Sequence, residues 1–199
     1  MYPYEFTSGA AQPGRPAPPV WTLHLLEPDH LLQAFTGQLR FDSAVVQWAR
    51  DLADLHAELI PHRVDSKSMR MRSDCEEVRA QIDRVVDDID AWAAKNVPRM
   101  KGARMHTHSL GEVLSHIAMA FADAWWAVLH VKDAELRHRA WLHLAQAREG
   151  YAEMVAEMRA QRLQLPLGSV GVRTGAVVSN VVNNHGYGEM IQLLSGRSE

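Results

Sequence analysis

The chain has a single cysteine, Cys75, so no internal disulfide can form, and no CxxC metal motif exists. It also has little net charge: the formal value of −3 gives no overall attraction to nucleic acid or to anionic lipid. The N-terminus lacks the basic start and the apolar run of a signal peptide. The most apolar later window, residues 117–129, contains Asp123 and is too short to span a bilayer. These absences predict a cytoplasmic protein with no membrane association.

Length and composition favour one helical domain. A chain of 199 residues can bury roughly 70% of its unfolded surface in a single core. Its apolar fraction of 47% and charged fraction of 23% are usual for a globular protein. Phenylalanine and tyrosine number only four each, and β-branched residues are few before the C-terminal part. This composition favours helices over strands.

Apolar residues recur at three- and four-residue steps in four long segments, which is the spacing of one helix face. We predict helices from 43 to about 59, from 73 to the connection at 95–104, from 109 to about 130–132, and from 134 to about 163. A short helix should follow Pro28 and end at Gly37, and Pro61 should stop the first long helix. The sequence therefore predicts an all-α fold: an antiparallel bundle of about four long helices, a short N-terminal helix, and an irregular or β-like C-terminal tail.

Composition divides the chain into three parts. Residues 1–20 are rich in proline and small residues without periodicity, which is typical of a flexible N-terminal arm. Residues 21–166 carry the apolar stripes and form the predicted bundle domain. Residues 167–199 are a Gly/Val/Asn-rich extension, for which a hairpin, a strand pairing with another chain and a loosely ordered tail all remain open.

A basic stretch from residue 62 to 72 joins the first two long helices. Arg63, Arg70 and Arg72 could contact a partner or phosphate groups, or the stretch could be a solvated linker. No aromatic residues interleave to stack on bases, which favours the linker. A second basic connection, residues 95–104, completes a candidate nucleic-acid surface, but the negative net charge opposes it.

Three acidic residues form a stripe on the second long helix. Asp83, Asp87 and Asp90 follow one another at i, i+4 and i+7, so they share a helix side. Such a stripe could hold Mg²⁺ or Ca²⁺, but a solvated helix face is the interpretation we favour. The paired ExxE and ExxD motifs of all-helical nucleotide pyrophosphatases are absent from the sequence.

Histidines cluster at the start of the third long helix. Ser109 and Glu112 form a capping box there, and Glu112 and His116 stand one turn apart, the spacing that lets two side chains share a metal. With His106 and His108 they could hold zinc or another divalent ion and form a hydrolytic centre. A structural or surface role is the interpretation we favour, and metal-free acid–base chemistry is a further alternative.

Two adjacent tryptophans lie later on the same helix. Trp125 fits the apolar stripe and is expected in the core. Trp126 should then face a second helix or a partner surface, since adjacent helical residues point about 100° apart. Core packing is favoured over a cofactor or sugar platform.

Four pieces of the chain resemble, in order and spacing, one bacterial helical family: Leu55-His56; Arg79-Ala-Gln-Ile-Asp83-Arg84 with Asp88-Ile-Asp90-Ala-Trp92; His106-Thr-His-Ser-Leu-Gly-Glu-Val113; and Glu149-Gly-Tyr151 with Leu165-Pro166. That family is catalogued as a domain of unknown function. It occurs in high-GC bacteria and their phages, and in other bacteria sometimes near sugar-transfer genes. The resemblance covers about residues 28–166 and implies bacterial or phage origin but no activity. The family usually has Glu at the position of His108 and Asp-Arg in place of Ser115-His116, so the resemblance does not support a family site at the histidine cluster.

Three functions are compatible with these features. The first, which we favour, is a non-enzymatic interaction or assembly module that needs no cofactor and forms a homodimer or binds another protein. The second is a metal-dependent hydrolase acting on a phosphate or nucleotide substrate through the histidine cluster. The third is a nucleic-acid-binding module.

Overall fold

A computed structural model describes residues 25–39, 43–64 and 69–166, except for the side chains of residues 62–72. Within these ranges there are five helices: α1 (Pro28–Phe35), α2 (Ala44–Val64), α3 (Met69–Asn96), α4 (Leu110–His130) and α5 (Ala134–Arg159). Two short strands, β1 (Arg104–Met105) and β2 (Leu163–Gln164), pair in parallel. The prediction of an all-α fold with four long helices and a short first helix is confirmed. The N-terminal arm and the C-terminal extension lie outside the described residues.

The helix α4 is the centre of the bundle, because it packs against α1, α2, α3 and α5. Leu110, Leu114 and Ile117 are each 1% exposed. Helix α4 carries small buried residues on several of its sides along most of its length: Ala118, Ala120, Ala122, Ala124 and Ala127. Short side chains permit close helix packing, so α4 can be covered on several sides at once.

Within the described ranges, α4 is also the one helix long and apolar enough to cross a membrane by length and composition. The core helix of a soluble protein meets the same criterion, and α4 packs against four other helices. The predicted lack of membrane association stays a prediction.

Hydrogen bonds and ion pairs attach α1 to α5. The Tyr151 hydroxyl donates a 2.7 Å hydrogen bond to the carbonyl of Leu26, and Tyr151 is only 2% exposed. Arg159 pairs with Glu27, and Arg148 pairs with Asp29. The Arg159 guanidinium holds the pKa of the Glu27 carboxyl below its usual value. These contacts fix α1 along one flank of α5.

Three predicted helix ends are wrong. Helix α2 continues through Pro61 to Val64, because a proline near the end of a helix removes only one backbone hydrogen bond. Helix α3 begins at Met69 rather than Ser73, so the two helices include most of the predicted 62–72 linker. Helix α5 ends at Arg159, after which the chain turns and places Leu163 beside Arg104 in the strand pair.

Candidate functional site

Helix α4 begins with the predicted capping box. The Ser109 hydroxyl accepts a hydrogen bond from the Glu112 N–H at 3.2 Å, and the Glu112 carboxylate accepts one from the Ser109 N–H at 2.8 Å. Ser109 is 1% exposed. One carboxylate oxygen of Glu112, a proposed metal ligand, is therefore used to cap the helix.

A buried carboxylate from α3 also reaches the start of α4. Asp90 is 4% exposed, and its Oδ1 accepts a 2.8 Å hydrogen bond from the Gly111 N–H. Within the described ranges, no group donates a hydrogen bond to its other oxygen, Oδ2. Burial raises the pKa of the Asp90 carboxyl, although the nearby Ser109 side chain and the Gly111 N–H oppose the shift. The predicted solvated stripe is therefore wrong at Asp90, because this residue faces α4, while Asp83 and Asp87 are exposed.

Gly111 makes this contact geometrically feasible. A Cβ atom at this position would lie 2.5 Å from the backbone oxygen of Val86 and 2.9 Å from its Cγ1. No real Cβ atom tolerates such distances without a shift of its neighbours. The backbones of α3 and α4 therefore meet at Gly111, where a side chain would separate them.

The histidines before α4 form local hydrogen bonds. Nδ1 of His106 lies 2.8 Å from the carbonyl oxygen of His108. Nδ1 of His108 lies 2.9 Å from the hydroxyl of Thr107. Their ring centroids are 5.9 Å apart. Both rings thus stabilise the turn that leads into the capping box.

His116 faces a histidine that the sequence pattern does not single out. Its ring centroid lies 5.4 Å from that of His143 on α5, and the ring planes are nearly perpendicular, at 81°. Desolvation, then the charges of His143 and His108, lower the pKa of His116. Among the side chains that the structure describes, no three of His, Cys, Asp or Glu lie close enough to hold a metal ion. Metal binding by His106, His108, Glu112 and His116 stays a prediction.

A second pair that was not expected from the sequence joins α2 to α4. Nε2 of His56 lies 2.9 Å from the Ser115 hydroxyl, although the residues are 59 positions apart. His56 is 8% exposed. The sequence does contain one indication of this contact. His56 lies one turn after Leu52 on the apolar stripe of α2, and an imidazole buried there requires a polar partner.

Large apolar side chains are exposed on the second half of α4 and on the first third of α5. We call this set the apical patch; its members are Trp125 (52% exposed), Val128 (43%), Leu129 (62%), Trp141 (41%) and Leu142 (48%). All lie within about three turns of the connection between the two helices. The expectation that Trp125 is in the core is wrong: the buried face of this part of α4 carries Ala124 and Ala127 instead, and Trp125 lies outside it.

The two tryptophans of the patch are directed towards the same flank as α1. Trp125 stacks on Phe121 with ring centroids 6.3 Å apart, and Phe121 contacts Phe35 at 5.3 Å. Trp141 shares a helix stripe with Arg148 and Arg159, since seven and eleven residues are close to whole numbers of turns. Both arginines pair with residues at or just before the start of α1.

The remaining candidate contact residues lie elsewhere. Trp126 is half-buried, packs against the core and places its ring 5.3 Å from that of His130. Arg63 belongs to α2, and Arg70 and Arg72 belong to α3, but their side chains lie outside the described residues. Their proposed partner contacts stay predictions.

Comparison of the chain with protein-family models, curated proteins and solved structures finds no match. The resemblance to the uncharacterised bacterial helical family stays a prediction.

Proposed function

We propose that the protein is a non-enzymatic interaction module that self-associates as a homodimer through the apical patch. The observation that carries this proposal is the exposure of five large apolar side chains on two helices that pack side by side, α4 and α5. Monomeric proteins rarely expose large contiguous apolar patches, and larger ones commonly mark interaction sites. Tryptophan in particular is enriched among the residues that dominate binding energy.

The size of the patch supports a moderate affinity. A tryptophan that is half exposed still offers about 100 Å² to a partner, which corresponds to about 2.5 kcal/mol. Four such side chains, two from each copy, give a gross stabilisation of about 10 kcal/mol. Association costs on the order of 4–15 kcal/mol in lost freedom and ordering. The tryptophans alone about offset this cost, so the net free energy of association depends on the aliphatic members of the patch. We expect a dissociation constant on the order of micromolar.

A second copy fits the charges around the patch. The exposed residues of the α4–α5 connection and the first two turns of α5 carry both signs: Lys132 and Arg139 are basic, and Asp133 and Glu135 are acidic. A two-fold interface places the same surface against itself, so a rim of mixed sign can match its own copy. The small net charge of −3 adds little repulsion.

Sedimentation velocity over a range of protein concentrations tests the proposal. The wild type should shift from monomer to dimer with rising concentration, and the double substitution Trp125→Ser/Trp141→Ser should stay monomeric. Met105→Ser is the matched control, because Met105 is 50% exposed but lies on β1, outside the patch. A wild type that stays monomeric, or a double variant that dimerises like the wild type, would contradict the proposal.

A further inference from the structure

Two imidazoles face each other across the groove between α4 and α5. His116 projects from α4, and His143 projects from α5, three residues after the buried Ala140. Their ring centroids are 5.4 Å apart and their planes cross at 81°. Histidine is the commonest side-chain ligand for transition metals, and it binds through a neutral ring nitrogen.

The separation of these rings fits a shared metal ion. Zinc binds imidazole nitrogen at about 2.0–2.1 Å, which places the ion about 3.2 Å from each ring centroid. Two such rings at a near-tetrahedral angle have centroids about 5.2 Å apart. The observed centroid separation of 5.4 Å is close to this value. From the edge-to-face arrangement, rotation of the side chains must turn one nitrogen of each ring towards the ion. Nearly perpendicular planes also keep the two rings from colliding as they approach one ion.

The local electrostatics favour the ligand form of His116. Partial desolvation and the neighbouring imidazoles of His143 and His108 lower its pKa, so the ring is neutral at physiological pH and has a lone pair available.

We propose that His116 and His143 together bind one late first-row divalent cation, with water in the remaining coordination positions. The expected order of affinity is Cu²⁺ above Ni²⁺ and Zn²⁺, as for other nitrogen sites. This site goes beyond self-association and does not rest on it. It does not require either ring to lack another partner, because a ligand histidine commonly donates its second ring N–H to a neighbouring group.

The proposed pair differs from the ligand set suggested by sequence spacing. Glu112 stands one turn before His116, but its carboxylate accepts the Ser109 N–H. His106 is bonded to the backbone of His108. The ligand that the spacing does not reveal is His143, which lies 27 positions after His116 and meets it because α4 and α5 pack side by side.

Isothermal titration of the full-length chain with NiCl₂ and ZnCl₂ tests the site. The wild type should bind one equivalent, and His116→Gln and His143→Gln should each weaken that binding at least tenfold. The matched control is His138→Gln, since His138 is an exposed histidine on another side of α5. Helix content by circular dichroism identifies any variant that does not fold. Equal binding by the wild type and both folded pair variants would overturn the proposal.

Electron paramagnetic resonance of the wild type with less than one equivalent of Cu²⁺ provides a test without substitutions. The proposal predicts coupling of the copper to two imidazole nitrogens. Coupling to one nitrogen or none would overturn it even if a pair variant fails to fold.

Discussion

Replacing Gly111 by alanine should push α3 and α4 apart. The added Cβ would lie 2.5 Å from the backbone oxygen of Val86, a rigid atom inside a helix. To restore an ordinary contact, the helices must separate by about 0.5–1 Å, which also stretches the 2.8 Å hydrogen bond from Gly111 N–H to Asp90. The Asp90 carboxylate would then stay buried while the hydrogen bond that offsets its desolvation is weakened.

The expected effect is a net destabilisation of about 2 kcal/mol. Overpacking costs about 1–3 kcal/mol, and weakening a hydrogen bond to a charged group adds up to about 1.5 kcal/mol. The greater helix propensity of alanine offsets at most about 1 kcal/mol of this loss. For a chain of this size the balance corresponds to a fall in Tm of about 4–8 °C.

Gly150 provides the matched control, because it is a helical glycine at which an added Cβ would meet nothing within 4 Å. Gly150→Ala should therefore raise the free energy of unfolding by about 0.5–1 kcal/mol. Urea titration followed by circular dichroism measures both variants. Gly111→Ala with a stability equal to or above that of the wild type would refute the backbone contact described between α3 and α4.

Two further predictions concern buried polar groups. Tyr151→Phe should lower the free energy of unfolding by about 1 kcal/mol, because it removes the hydrogen bond to the Leu26 carbonyl while keeping the ring; an unchanged urea midpoint would contradict this. Asp90→Asn should gain stability relative to the wild type as the pH rises above 3.8, the usual pKa of this carboxyl. Because the pKa of Asp90 is higher in the folded than in the unfolded wild type, the unfolded chain releases the carboxyl proton at lower pH, and rising pH therefore favours unfolding. The amide of the Asp90→Asn variant does not titrate, so its stability lacks this dependence. Urea midpoints between about pH 3 and 7 test the sign, and a constant difference would contradict it.

Features that depend on neighbouring residues could be predicted from the sequence. The capping box of Ser109 and Glu112 needs only a three-residue spacing, and both of its hydrogen bonds form. Asp133 likewise caps α5 by accepting from the Glu135 N–H at 2.8 Å. Helix number and class follow from the same local periodicity.

Features that depend on packing between helices could not be predicted. The contact between Asp90 and Gly111 and the one between His56 and Ser115 join residues 21 and 59 positions apart, and no local spacing marks them. Asp90 has the same spacing pattern as its solvated neighbours, and only the position of α4 buries it. The sequence therefore indicated which residues were chemically notable without showing which would meet.

The exposure of Trp125 has the same origin. Periodicity placed it on the apolar stripe of α4, and the stripe does continue to the helix end. Periodicity does not reveal which side of the stripe the neighbouring helices cover, and here the buried face carries Ala124 and Ala127. An apolar position on a stripe is buried only where another element covers it, which is why the apical patch was not predicted.

Hydrogen–deuterium exchange of the wild type at two protein concentrations tests self-association through the apical patch most directly, since it needs no substitution. One sample should lie well below and the other well above the micromolar range. A dimer formed through the patch predicts slower exchange at high concentration in peptides that cover the end of α4 and the start of α5, about residues 121–146, and unchanged exchange in α3. Exchange that is independent of concentration, or protection confined to another surface, would contradict it.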